Sequence, residues 1–112
     1  MKGGAPVVSS SSMAQCWRGS GPNAAFALGW WNNRQAPGGR EFDFESMLVP
    51  KWQRQGWGGA VLCRDAPSDL VACIGSGHQR LYVIPSMNLV VVRQGAGGRF
   101  SDGRFLRLLL GK

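Results

Sequence analysis

Few side chains in this sequence have the types and spacing that chemistry needs. His78 is the single histidine, and the three cysteines, Cys16, Cys63 and Cys73, stand in no Cys-x-x-Cys spacing, so neither a zinc site nor a dithiol redox centre is indicated. Buried thiols are the default expectation. A Cys63 to Cys73 bridge stays open if those positions fall on neighbouring strands, where α-carbons approach within about 7 Å. His78 closes a Gly75-Ser76-Gly77-His78 run, and glycines so placed either bend a strand through a bulge or let backbone approach another group closely. Trp30 and Trp31 could line a cleft, but adjacent strand residues point to opposite faces, so at least one is expected to pack in the core. Trp52 and Trp57, beside Lys51 and Arg54, could offer nucleic-acid bases a stacking platform, a thin signal in an irregular segment. No metal and no cofactor are expected.

The elements that must carry these residues are partly legible. Residues 1–22 read as a flexible or short-helix segment, with Ser12 a possible cap for a helical turn over residues 13–17 and Gly19-Ser20-Gly21-Pro22 ending it. Residues 26–31 read as one strand, with Asn32-Asn33 as the turn after it. Residues 34–59 show no sustained period and are broken by Pro37-Gly38-Gly39, which predicts an elaborated loop. From Ala60 onward the pattern sharpens. Apolar runs at 60–63 and 70–74 flank a turn at Asp65-Ala66-Pro67-Ser68, and the runs at 80–84 and 89–93 flank Pro85-Ser86-Met87-Asn88, an antiparallel hairpin with a four-residue connection. The run at 89–93 is apolar until its last residue, which predicts burial on both faces. Ser101 or Asp102 can cap a helix carrying Phe105, Leu108 and Leu109 on one side, with Gly111 to stop it. The fold class is α+β: an antiparallel sheet with a C-terminal helix packed on it.

Composition narrows the function classes. A chain of 112 residues suits one domain or part of one, since a single core is usually built from about 100 to 150 residues. A net charge of +7 favours polyanions, yet the arginines are scattered singly and form no nucleic-acid arm, which argues against nucleic acid as the partner. No stretch approaches the roughly 20 apolar residues of a membrane-spanning helix, and the N-terminus shows no signal peptide.

The segment Gly75-Ser76-Gly77-His78-Gln79-Arg80-Leu81-Tyr82-Val83-Ile84-Pro85, followed by Asn88-Leu89-Val90-Val91-Val92-Arg93, resembles serine hydrolases of the β-lactamase, penicillin-binding-protein and 6-aminohexanoate-dimer-hydrolase type. Leu28-Gly29-Trp30-Trp31 resembles a segment usually found upstream of it, and residues 100–106 look like the start of that family's terminal helix. The resemblance implies that residues 23–112 are the C-terminal sheet-and-helix part of such a domain, a partial β-lactamase/transpeptidase-like fold. It implies an amide or ester substrate attacked by a serine in a Ser-x-x-Lys motif, with backbone amides stabilising the oxyanion. No serine here is followed three residues later by lysine, and Tyr82 lies outside any Tyr-x-Asn context. The chain is therefore expected to lack nucleophile and general base.

If Cys73-Ile74-Gly75 aligns with the family's third active-site box, its lysine is not retained and the Ser76 amide becomes a candidate oxyanion donor. His78 then replaces an expected glycine, narrowing the cleft or straining the turn. The resemblance also implies a missing N-terminal part as partner, self-association through an uncovered sheet face if that part is absent, and a bacterial cytoplasmic or periplasmic setting. A non-catalytic basic domain that binds nucleic acid or a protein partner is the competing reading.

Overall fold

The computed structural model describes residues 7–21, 23–43, 59–95 and 99–112. In chain order it contains helix α1 (Ser10–Trp17), strands β1 (Phe26–Ala27), β2 (Trp30–Asn32), β3 (Arg40–Glu41), β4 (Ala60–Val61), β5 (Val71–Gly75), β6 (Gln79–Ile84) and β7 (Leu89–Arg93), and helix α2 (Asp102–Leu110). The main sheet is antiparallel throughout, in the order β1-β2-β5-β6-β7, while β3 and β4 form a separate parallel pair. The α+β expectation holds. Trp52 and Trp57 lie outside the described residues, as does most of the expected long loop. Among the described residues, no helix is long and apolar enough to cross a membrane.

The β6–β7 hairpin forms where local signals placed it, with Pro85–Met87 as a single 3-10 turn and Asn88 in the left-handed region (φ 50°), where asparagine is tolerated better than most residues. The Asp69 carboxylate holds this turn, accepting from the Ser86 amide at 2.6 Å and the Ser86 hydroxyl at 2.8 Å.

Residues 26–31 are a hairpin instead of one strand. Leu28 (φ 52°) and Gly29 (φ 86°) are both left-handed, and the chain reverses so that Ala27 faces Trp30 and Phe26 faces Trp31. A two-residue turn with positive φ at both positions matches the twist of its strands, and asparagine followed by glycine suits it best. Leucine carries a steric cost there, and Leu28 is 75% exposed. Leu28→Asn is therefore expected to raise stability by about 1 kcal/mol, because it relieves the backbone cost and leaves the core untouched. A urea midpoint equal to or below that of the parent protein would refute this.

Strand alternation gives the sheet two unlike faces. Trp31, Ala72, Tyr82 and Ile84 share one face with Leu106 of α2 in the core, all buried. On the other face, Cys73, Leu81 and Val92 run in register, beside Val71, Val83 and Val90. Val90 and Val92 are each 62% exposed. Burial of β7 on both faces is thus not observed: β7 is an edge strand, and only its inward residues Leu89 and Val91 pack against the core. Helix α1, capped by Ser9 in place of the expected Ser12, contacts β1 and β2 and flanks the buried Val71 end of this strip, leaving Val90 and Val92 uncovered.

Helix α2 has the expected ends. The Ser101 hydroxyl accepts from the Arg104 amide, and Gly111 adopts φ 72° to close the last turn. Its buried side differs from the expected stripe. Asp102, Gly103 and Leu106 face the sheet, with Phe105 and Leu110 beside them, whereas Leu108 and Leu109 are exposed. The rotation places Asp102 in its buried pair with Arg80 on the sheet side, and it lets Arg107, the last-turn cation, donate to Glu41 and, at 2.5 Å, to Asp65.

The Glu41 carboxyl feels burial, which raises its pKa, but the Arg107 hydrogen bonds, the Arg64 amide and the nearby guanidinium charges together hold it below the usual carboxylate value. A depressed folded-state pKa contributes stability that is present above the unfolded value of about 4.3 and is lost as pH falls through the folded value. The stability gap between the parent protein and Glu41→Gln should be widest at neutral pH and shrink below about pH 4. Denaturant midpoints across that range test this, and a pH-independent gap would remove Glu41 from the account.

Candidate functional site

The turn carrying Gly75, Ser76, Gly77 and His78 joins β5 to β6 beyond the closing pair Gly75 and Gln79. Gly77 (φ 75°) and His78 (φ 67°) are both left-handed, so the reversal needs two residues in a region that costs a non-glycine side chain free energy. His78 is held there by its neighbours. Its carbonyl accepts from Arg93 Nη1 at 2.6 Å, and its ring lies 5.5 Å from that of Phe100, centroid to centroid. Gln79 ties the same end of the sheet to the following loop, exchanging hydrogen bonds with Gly95 at 2.7 and 3.2 Å.

A groove of about 450 Å³ runs along this end of the sheet, lined by Gly29, Cys73, Gly75, Gln79, Leu81 and Val92 among others. Its apolar walls belong to the face left uncovered by α2. Gly75 is part of the lining, while Ser76, Gly77 and His78 are not; Ser76 is exposed at the tip, outside the paired strands.

Trp31 is buried against Phe26 and Phe42, with centroids 4.6 and 5.3 Å away, so it is a core residue. Trp30 is half-buried edge-on to Trp17 at 5.7 Å, on the groove's face of the sheet but not in its lining. The two tryptophans thus take opposite faces, as strand alternation requires.

The titratable groups do not form a nucleophile with its base. Burial pushes the Cys73 thiol up from its ordinary pKa, so it stays protonated and weakly nucleophilic at neutral pH. Cys63 is likewise raised by burial, and its sulfur lies 3.7 Å from the Gly103 carbonyl on the α2 side of the sheet. Cys73 points to the other side, so the open bridge between them does not form; all three cysteines are free thiols. Tyr82 is fully buried, and burial, followed by the adjacent Asp102 charge, raises its pKa far above the ordinary value. That phenol cannot act as a base near neutrality. Among the described residues, no cluster of His, Cys, Asp and Glu could hold a metal.

Two polar constellations went unseen in the sequence. Arg80 Nε and Nη2 donate to the two Asp102 oxygens at 2.7 and 3.2 Å, and the Tyr82 hydroxyl donates to the same carboxylate. Both charged side chains are fully buried. Arg80 and Tyr82 sit two apart on β6, and two polar groups on one face of an otherwise apolar strand were the available signal. Asn33, also fully buried, is the second, joining the end of β2 to residues 62–67. Described from its residues upward, the site offers a backbone turn beside a groove of mixed apolar and polar lining, without an attacking group among the described residues. No family model, curated protein or solved structure matches this chain.

Proposed function

We propose that residues 23–112 are the sheet-and-helix part of a serine hydrolase domain of the β-lactamase and penicillin-binding-protein type, acting on an amide or ester, with its Ser-x-x-Lys nucleophile outside this sequence. One observation carries the reading. The antiparallel sheet has α2 on one face only, and Gly75, where β5 ends and the glycine turn begins, lines a groove toward the other face, where Val90 and Val92 are exposed. An apolar sheet face ordinarily needs a second layer over it, and a nucleophile-bearing layer placed there would reach the groove beside Gly75.

In that arrangement the serine attacks the carbonyl carbon, and the charge developing on oxygen is met by the amide of the nucleophile itself and by the Ser76 N–H, the first amide beyond the groove-lining Gly75. One such donor typically contributes about 10²- to 10³-fold in turnover. Because a main-chain donor requires position and no particular side chain, the loss of the family's box lysine is compatible with this role. Left-handed His78 fits the glycine that the resemblance places there, at a steric cost to the turn.

This chain alone should not be labelled by a fluorophosphonate or penicillin probe, and its coding DNA should continue upstream of Met1 into an in-frame Ser-x-x-Lys. Joining that upstream part to this chain should restore labelling. Stoichiometric acylation of a serine in the 112-residue chain, or an upstream frame without the motif, would defeat the reading.

A further inference from the structure

Three arginines meet at the N-terminal end of α2. Arg93 from β7, Arg99 from the preceding segment and Arg104 from the first turns of the helix line one cleft of about 240 Å³, together with Ser101, Phe100 and Leu108. Arg93 is fixed: its guanidinium carbon stands 4.2 Å from the Phe100 centroid, and it donates to the His78 carbonyl. Arg99 and Arg104 are exposed, and neither forms an ion pair with any described residue.

The nearby acids are already engaged. Asp102 is buried against Arg80 and Tyr82, Glu41 and Asp65 hold Arg107, and Asp69 holds Ser86. Among the described residues no carboxylate pairs with Arg99 or Arg104, so their charges give the cleft a positive field. Leu108, 74% exposed, and the half-buried Phe100 supply an apolar wall next to that field.

We propose that this cleft binds a small phosphate monoester with an aromatic or short apolar substituent. The guanidinium forks of Arg99 and Arg104 suit the phosphate oxygens, which accept several charge-assisted hydrogen bonds at once. The substituent lies on Phe100 and Leu108, with Arg93 holding the ring in place. At about 240 Å³ the cleft is smaller than pockets for drug-sized ligands, typically about 300 to 1,000 Å³, which restricts the ligand to roughly one ring and its head group. Arg93 lines both the cleft and the groove, whereas Arg99 and Arg104 line the cleft alone, so this binding does not require the hydrolase reading.

The test is a titration of the isotope-labelled chain with phenyl phosphate at low ionic strength, read by amide chemical shifts. Saturable shifts are expected at Arg93 and through residues 99–108. The double variant Arg99→Ala and Arg104→Ala should weaken binding about tenfold or more, since each lost charge-assisted bond is a substantial fraction of the affinity of so small a ligand. Arg18→Ala, on α1's side of the molecule and outside the cleft lining, should change it less than about twofold, since it removes no hydrogen bond to the phosphate. Leu108→Ser should weaken phenyl phosphate and leave inorganic phosphate unchanged. Both arginines are exposed and unpaired among the described residues, so the double variant should keep the parent spectrum elsewhere and the parent unfolding midpoint. Non-saturating shifts spread over all arginines, or equal affinity in the double variant, would overturn the proposal; phenol binding as well as phenyl phosphate would do the same.

Discussion

Asp102→Ala should lower the unfolding free energy by about 3 to 5 kcal/mol, because it removes a buried carboxylate that pairs with the guanidinium of Arg80 at two points. Arg80 and Asp102 have no exposed side-chain surface, and their two-point pairing leaves little room for water to replace the carboxylate. The loss also strands the Tyr82 hydroxyl, which donates to the same group. A domain of this size has only about 5 to 15 kcal/mol in total, so the variant should sit near the edge of folding. Tyr82→Phe should cost far less, about 1 kcal/mol, since it removes one neutral donor and leaves the ion pair intact. Replacing Arg80 and Asp102 together by apolar residues should recover most of the loss, as paired removal leaves no orphan charge. Urea unfolding followed by circular dichroism measures all three. Equal costs for Asp102→Ala and Tyr82→Phe would show that the carboxylate is not what anchors α2 to the sheet.

Asn33→Ala is expected to cost roughly 3 kcal/mol, by a different mechanism. The Asn33 side chain donates to the carbonyls of Cys63, Pro67 and Ala66 at 2.8, 3.1 and 3.3 Å, and its oxygen accepts from the amides of Leu62 and Cys63 at 2.8 and 3.1 Å. Alanine leaves those two buried amides with no acceptor, at about 1 to 3 kcal/mol for each group stranded. Asn33→Asp should be at least as harmful. It keeps the acceptor but sets a carboxylate against three carbonyl oxygens in a buried site. Hydrogen exchange gives a local readout: the Leu62 and Cys63 amides should exchange much faster in Asn33→Ala, while those of β6 follow only the global loss. Unchanged protection at 62 and 63 would mean that other groups satisfy them.

The long-range roles of Asn33 and Arg80 explain why sequence reading missed them. Asparagine next to asparagine after an aromatic run signals a turn, because their side chains commonly bond to nearby backbone. Here Asn32 ends β2 with its amide on Trp17 and Ala24, and Asn33 reaches about thirty residues ahead. Nothing within a local window encodes such a partner. Arg80, Tyr82 and Asp102 are equally silent in sequence, since the ion pair exists only once α2 has folded back over β6.

The hairpin at 26–31 was lost for a related reason. Aromatic residues on both sides of Leu28-Gly29 read as one continuous strand, and leucine is a poor marker for a left-handed position. The candidate turn at 75–78 was legible as a glycine-marked break. That Gly75 lines a groove while Ser76 stands exposed outside it depends on how β5 and β6 meet β2 and β7.

The sequence by itself determined the α+β class, the β6–β7 hairpin, the ends of α2 and the absence of a Ser-x-x-Lys nucleophile within these 112 residues. Each rests on short-range chemistry: period-two apolar alternation, a proline-containing turn, a serine cap and a glycine stop. The tertiary structure alone decided which apolar residues are covered, which turned Leu108, Val90 and Val92 outward, separated Cys63 from Cys73, and gathered three arginines around Phe100. Burial and charge pairing depend on which distant segments arrive on each face, and this pairing across many residues is set by packing of the whole sheet and helix.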